Sequence, residues 1–358
     1  KELLSYLRDP RSRVTLIGPP LMQLLIFSYA VTLDVSNVRL GVLDEDAGRA
    51  SHELVQRLDG AAFVDELVFV ASEAELAELI DRREVLAGLR FPADFSRNVS
   101  AQRPAIAQVV LDGRRANAAQ ITMGYLNTVA ATMGAELRQR ETGAAISRTE
   151  VRHWFNPNLI YRWFVVPSLS GILAMLIALL VTALSIARER ELGTFDQLLV
   201  SPAAPIEIVI GKTVPALVIG TVLGSVMIAA GVLLFRIPFT GSAPWLLSGL
   251  VLFILSMVGI GLMLSSICRT QQQAILGTFS IGVPLVLISG FATPVENMPD
   301  WLQIVATASP LKYYLIIVRG SFLKALPPTD LIANMWPMAL IALVTLSSAV
   351  VFVKRNLQ

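Results

Sequence analysis

The sequence predicts a mostly α-helical membrane protein. It would have six transmembrane helices, an N-terminal interfacial elbow helix, an extracytoplasmic α/β domain between spans one and two, and re-entrant half-helices between spans five and six. Three observations lead there. Of the 358 residues, 54% are hydrophobic and only 16% charged, with a mean hydropathy of +0.63, above the balance of a soluble globular domain. Six stretches stay apolar for roughly the 20 residues that a helix needs to cross the hydrocarbon. Between the first two, residues 34–160 carry more than half of all the charges in the chain, a load that lipid excludes and water accommodates.

In order along the chain, "KELLSYLRDPRSR" places Leu3, Leu4 and Leu7 on one face among charges, as in a short surface helix stopped near Pro10. The first span follows at Val14–Leu33. With no charged leader or cleavage site ahead of it, this span is expected to act as an uncleaved signal, and residues 1–33 form the first unit. Residues 34–160 read as a small α/β domain. "VRLGVLDEDAG" is a buried strand ending in a turn, followed by a Ser-initiated helix around Ser51–Leu58, and "AFVDELVFV", "VLAGLRFP" and "IAQVVLDG" are further strands. "SEAELAELIDRRE" opens on a capping box at Ser72 and Glu75, and a helix over about Ala116–Arg140 leads back to the membrane with Gly134 as its weak point. In residues 161–358 the remaining spans are Phe164–Ala187, Val209–Phe235, Trp245–Cys268, Ala274–Ala292 and Ala333–Val353. The apolar pieces "LQIVATA" and "LIIVRGSFL" are too short to cross, and Pro299 and Pro310 break them. They fit half-membrane helices, with apolar surface loops as the alternative.

Cytoplasmic loops keep an excess of Lys and Arg. Placing the N-terminus inside puts Lys1, Arg8, Arg188, Arg190, Lys212, Arg269 and Lys354 on the cytoplasmic side. Both termini are then cytoplasmic and the insert lies outside.

Several function classes drop out. A net charge of +2 without a basic run gives no footprint for nucleic acid. The single cysteine, Cys268, allows no intramolecular disulfide and reads as a small apolar residue. His52 and His153 are about a hundred residues apart with no second ligand at metal spacing, so neither a metal site nor a catalytic group is assigned. Asp44, Glu45 and Asp46 read as a solvated turn rather than a calcium loop. Gly211-Lys212-Thr213 looks like the end of a phosphate-binding loop, but Ile206 stands where the loop's first glycine belongs. Lys212 reads instead as an anchor at the cytoplasmic end of the third span. The spans hold essentially no interior charge, which argues against an ion-coupled carrier and for energy supplied by a partner.

Three groups remain as candidate sites. Gly220, Gly224 and Gly231 share one face of the third span, where small residues serve helix packing or a dimer interface. Trp301, Pro310, Tyr313, Tyr314, Leu315 and Ile316 are the candidate external gate, with the rings of Trp301, Tyr313 and Tyr314 in the headgroup layer and their polar atoms toward water. The third group is "ARERELGTFDQLLVSPAAPIEIVIGK", between spans two and three. Arg188, Glu189, Arg190 and Glu191 carry the helix out of the lipid, Gly193 and Thr194 allow a bend, and Phe195, Leu198 and Leu199 form an apolar face ended by Pro202. Such a helix with exposed charges suits docking into a partner's groove, or equally a surface helix that closes a loop.

At this stretch the sequence resembles the ABC-2 type permease family, which reads Glu-Arg-Glu-x-Gly-Thr-x-Glu-x-Leu followed by Pro. Here these are Glu189, Arg190, Glu191, Gly193, Thr194, Leu198 and Pro202, with Asp196 where the family has Glu. "LRDPRS", "ISGFATPVENMPDWLQ" and "SPLKYY" are similar to that family too, and with the large insert they point to the drug-efflux-like branch of bacterial inner-membrane permeases. The resemblance implies a dimer of permeases, of the same or related chains, exporting amphiphilic compounds such as drugs or lipids. ATP and Mg would be bound by separate ATP-binding subunits, and this chain would carry no cofactor. It also implies that a coupling helix at about 188–201 contacts the ATPase, and that the external domain suits a periplasmic adaptor and outer-membrane channel. The competing reading is a membrane-anchored surface or receptor protein of the same fold.

Overall fold

The computed structural model describes residues 10–30, 35–142, 154–158, 160–194 and 204–355. The elbow expected before Pro10 lies outside them, as do His153, Phe195, Asp196, Leu198 and Pro202. The chain divides into two compact units, residues 1–31 with 153–358 and residues 32–152.

Helix α1 (Pro10–Ala30) contains Pro19 and Pro20, both within its described apolar run Ile17–Ala30. The insert then alternates strand and helix: β1 (Val38–Asp44), α2 (Arg49–Asp59), β2 (Val64–Phe69), α3 (Glu73–Asp81), β3 (Ala87–Phe91), α4 (Phe95–Ser100), β4 (Gln108–Leu111) and α5 (Ala116–Thr142). The sheet order is β2-β1-β3-β4. β1 pairs in parallel with both neighbours, and β4 is antiparallel to β3. Parallel neighbours need crossovers, which α2 and α3 supply, and a strand between two neighbours under helices must be apolar along its length. Val38, Leu40, Val42 and Leu43 of β1 are accordingly buried.

Local capping fixes the helices of the insert. The Ser72 hydroxyl accepts from the Glu75 N–H, and Glu75 accepts from Ala71. Helix α2 starts earlier than Ser51, at Arg49 after an N-cap Gly48, because Ser51 is already engaged: its hydroxyl donates to Asp44 and accepts from the Gly48 N–H. The acidic turn is a bonded junction rather than a solvated one. Asp44 accepts from the backbones of Asp46 and Ala47, and Asp46 binds the hydroxyl and backbone N–H of Ser96 on α4. Burial opposes ionisation of Asp46, yet these Ser96 bonds hold its carboxyl below the usual range.

The second unit continues with α6 (Arg162–Glu191), α7 (Pro205–Leu233), α8 (Ala243–Ile267), α9 (Gln271–Leu287), α10 (Asp300–Ala306), α11 (Pro310–Leu323) and α12 (Pro328–Arg355). Four of these, α6, α7, α8 and α12, are long and apolar enough to cross a membrane, and α10 with α11 forms a pair bent by 77° that could count as a fifth. The expected six differ at two places. α1 runs unbroken through its two prolines but its described apolar run is short, and α9 ends at Leu287 after 17 residues, where the chain turns through Gly290 at φ +83°.

Helix α6 is the central post, packed on α1, α7, α8, α9 and α11, while α12 lies along α8. Its apolar window is 83% buried against 22% for α12, so α12 turns most of its apolar surface outward. Several hydroxyls inside the unit are satisfied by carbonyls three or four residues back, as at Ser168, Thr182 and Thr278. Ser256 also bonds Met338 O, tying α8 to α12.

Candidate functional site

The last turn of α6 gathers one end of this unit. Consecutive helical residues point about 100° apart, so three in a row can reach three different neighbours, and Glu189, Arg190 and Glu191 do. Glu189 Oε1 accepts from Lys212 Nζ of α7 at 2.5 Å. Arg190 Nη1 donates to the carbonyls of Ser266 and Cys268, at 2.7 and 3.4 Å. These lie at the C-terminus of α8, where carbonyls lack helical partners and the dipole favours a cation. Glu191 Oε2 accepts from the Gln271 N–H, the first residue of α9, at 2.7 Å, an anion on a helix N-terminus. One turn above, Ser265 of α8 donates to Ala183 O and accepts from the N–H groups of Ile186 and Ala187.

The helix then stops for a definite reason. Gly193 adopts φ +70°, its N–H bonds Arg190 O, and the Thr194 N–H bonds Glu189 O at 2.9 Å. This is a Schellman end, which needs a residue in the left-handed region and therefore favours glycine. The Glu-Arg-Glu-x-Gly-Thr run is thus a clamp followed by a stop.

The exposed charges expected of Glu189 and Arg190 are not found: both point inward, while Arg188, Leu192 and Thr194 are exposed. Lys212 is expected as an anchor at the cytoplasmic end of the third span, and the structure gives it a partner. It is 5% exposed and held by Glu189. No sequence pattern joins residues 189 and 212; only the antiparallel approach of α6 and α7 does.

The glycines of α7 face the chain's own core. A Cβ on Gly220 would lie 2.9 Å from Ile254, and one on Gly224 would lie 3.0 Å from Leu250. Gly231 faces Phe322 and Val166. Ile210, Val214, Val218 and Val222, spaced by four on the opposite face, are exposed.

At the bent pair, Pro310 opens α11 behind the N-cap Ser309. Trp301 is exposed, and Tyr313 donates from its hydroxyl to Thr307 O at 2.9 Å. Tyr314 corrects the expectation of a headgroup position. It is fully buried, stacked on Phe253 of α8 at 4.4 Å between ring centroids, and its hydroxyl has no partner among the described residues. Leu315 is buried and Ile316 exposed, so the two face opposite ways. The sequence reading also passed over Arg319, whose signal was an arginine inside the apolar run "LIIVRGSFL". Its guanidinium lies 4.0 Å above the Phe164 ring, and it donates to Ser168 Oγ at 2.8 Å and to Gly290 O at 3.3 Å. His52 is exposed and Cys268 buried.

A family model described as an ABC-2 family transporter protein matches residues 14–351. The probable multidrug ABC transporter permease YbhR of Escherichia coli is 42% identical over 357 residues, covering 99% of this chain and 97% of that protein. The probable multidrug ABC transporter permease YbhS of the same organism is 28% identical over 360 residues, covering 99% and 93%. The linearmycin resistance permease protein LnrN of Bacillus subtilis is 22% identical over 358 residues, covering 89% and 90%. With a family match across nearly its whole length, and with a clamp where the family motif falls, this chain belongs to the ABC-2 transporter family and is a membrane permease of an ABC exporter.

Proposed function

We propose that the permease moves amphiphilic compounds such as drugs or lipids outward across a bacterial inner membrane, driven by separate ATP-binding subunits that dock at the clamp end of the bundle. The names of the two Escherichia coli relatives support the multidrug part of this reading. The observation that carries the docking is the clamp itself. A push on the segment after Thr194 would reach α7, α8 and α9 together through Glu189, Arg190 and Glu191. In this reading α1, α6, α7, α8, α9 and α12 are the six crossings, preceded by an elbow helix. Both termini are cytoplasmic and the α/β insert is outside, where an adaptor leading to an outer-membrane channel can reach it. A second permease covers part of the exposed apolar surface. The bent pair α10–α11 re-enters from the outer side and closes the external end of the path, with Trp301, Pro310, Tyr313, Tyr314, Leu315 and Ile316 as its elements. ATP and Mg belong to the partner chains.

The test is purification of the chain with the product of the neighbouring reading frame. An ATP-binding subunit should stay bound, and Glu191→Lys, which sets a cation against the N-terminus of α9, should lower substrate-stimulated ATP hydrolysis several-fold with membrane insertion unchanged. Normal coupling in that variant would remove the clamp from the mechanism. Absence of any bound ATPase would favour the receptor reading.

A further inference from the structure

The insert holds a cleft that neither the clamp nor the transport reading uses. Helix α5 is fastened to α2 and to the segment ahead of β2. Arg57 of α2 bonds Glu136 at 2.7 Å, and the rings of Phe63 and Tyr125 meet at 4.9 Å. Along the other flank, α5 stands away from α4 and β4 and leaves a space of ≈ 930 Å³, near the upper end of the range for small-molecule sites, about 300 to 1,000 Å³. Its floor is apolar core, including Leu58, Phe95, Leu126 and Met133. Among the described residues the charged side chains that line it are Arg103 and Arg138, both cationic; Arg138 already has a partner, so Arg103 is the rim cation that a ligand would meet, and the nearby carboxylate of Glu136 is engaged by Arg57. Small residues keep the space open, and a Cβ placed on Gly134 would meet nothing within 4 Å.

We propose that this cleft binds an anionic amphiphile, with its apolar body along α5 and its carboxylate or phosphate at the arginine rim. An apolar floor with a guanidinium at its edge fits one chemistry: a chain that leaves water and an acid that stays at the surface against the Arg103 donors. A neutral apolar compound would leave the rim unused, and a cation would be repelled by it. The site goes beyond the transport reading, because it requires only that amphiphiles reach the insert.

The test uses the full chain in phosphatidylcholine nanodiscs with photoreactive diazirine probes of equal chain length, one ending in a carboxylate and one in a quaternary ammonium. Peptides from the cleft face of α5 and from α4 should carry the carboxylate probe and about tenfold less of the ammonium probe. Gly134→Leu fills the space and strengthens the helix, so cleft adducts should fall about tenfold. Gly124→Leu makes the same change on α5 outside the cleft, again with open space around the new Cβ, and should leave the adducts unchanged. Arg103→Glu should lower carboxylate labelling and spare the ammonium probe. Adding phosphatidylglycerol to the nanodisc separates two sources of the acid: loss of adducts assigns the site to an anionic lipid, and persistence assigns it to a free amphiphile. Equal labelling by both probes, indifference to Gly134→Leu, or cross-links from the cleft to a second copy of the chain would each overturn the proposal.

Discussion

At the scale of single residues, the ion pair between Glu189 and Lys212 carries the sharpest expectation. Lys212 is 5% exposed and Glu189 22%, so neither is screened as a surface pair would be. Removing one partner strands a desolvated charge at a cost of about 3 kcal/mol or more, whereas removing both with apolar groups of similar size costs far less. Thermal unfolding of Glu189→Leu and of Lys212→Met in detergent should therefore show lower Tm, and the double variant should recover most of the loss. Additive losses would mean that the pair is not coupled. Tyr314 gives a second expectation with the opposite sign. Its ring is held against Phe253 and its hydroxyl is buried without a partner among the described residues. Tyr314→Phe keeps the stack and drops the unsatisfied group, so stability should rise by about 1 kcal/mol. A fall in Tm would reveal a hydrogen bond made in another conformation. Both sites were poorly legible in the sequence for one reason. Hydropathy shows that a residue lies in a helix of an apolar bundle, but whether it points at a neighbour or at lipid depends on how helices distant in sequence meet.

At the scale of elements, legibility followed the strength of the local signal. The strands of the insert and α3 were visible because short apolar runs bounded by turn residues and a Ser-x-x-Glu box are local codes. Helix α4, six residues long, is too short to show a period. The fifth span was overdrawn because mean hydropathy does not register the turn after Leu287. The bend between Gly193 and Thr194 was readable from its residue types, and the structure adds its mechanism. Gly193→Ala puts a Cβ at φ +70°, which costs about 1 to 2 kcal/mol. Either the strain is accepted or the Schellman bonds to Glu189 O and Arg190 O are released, and release would let α6 continue past its stop. Transport should fall in Gly193→Ala and stay near normal in Gly193→Asn, since asparagine tolerates the left-handed region better than alanine does. Equal activity in the two variants would show that the stop is incidental to coupling.

At the scale of the whole molecule, the apolar helices fix that the chain crosses a membrane several times, while its direction rests on charge in the short loops. The clamp end carries Arg188, Arg190, Lys212 and Arg269, which argues for a cytoplasmic side by the excess of positive charge kept there. The insert is reached through the chain that leaves α1 and returns at α6, so in the proposed reading, where α1 crosses, it lies opposite the N-terminus. Labelling decides this if the probes stand where a cysteine does not disturb the fold. Asp112 is a poor position, since its carboxylate is buried and binds Arg114, whose guanidinium in turn reaches Ile80 O. Asp65 on β2 and Arg269 between α8 and α9 are exposed. In a Cys268→Ser background, a membrane-impermeant maleimide should label Asp65→Cys in intact spheroplasts and Arg269→Cys only after the membrane is opened. The background change is tolerable because Cys268 contributes its backbone carbonyl to Arg190, which serine keeps. The reverse pattern would place the clamp outside, away from any ATP, and the coupling role of Glu189, Arg190 and Glu191 would fall with it.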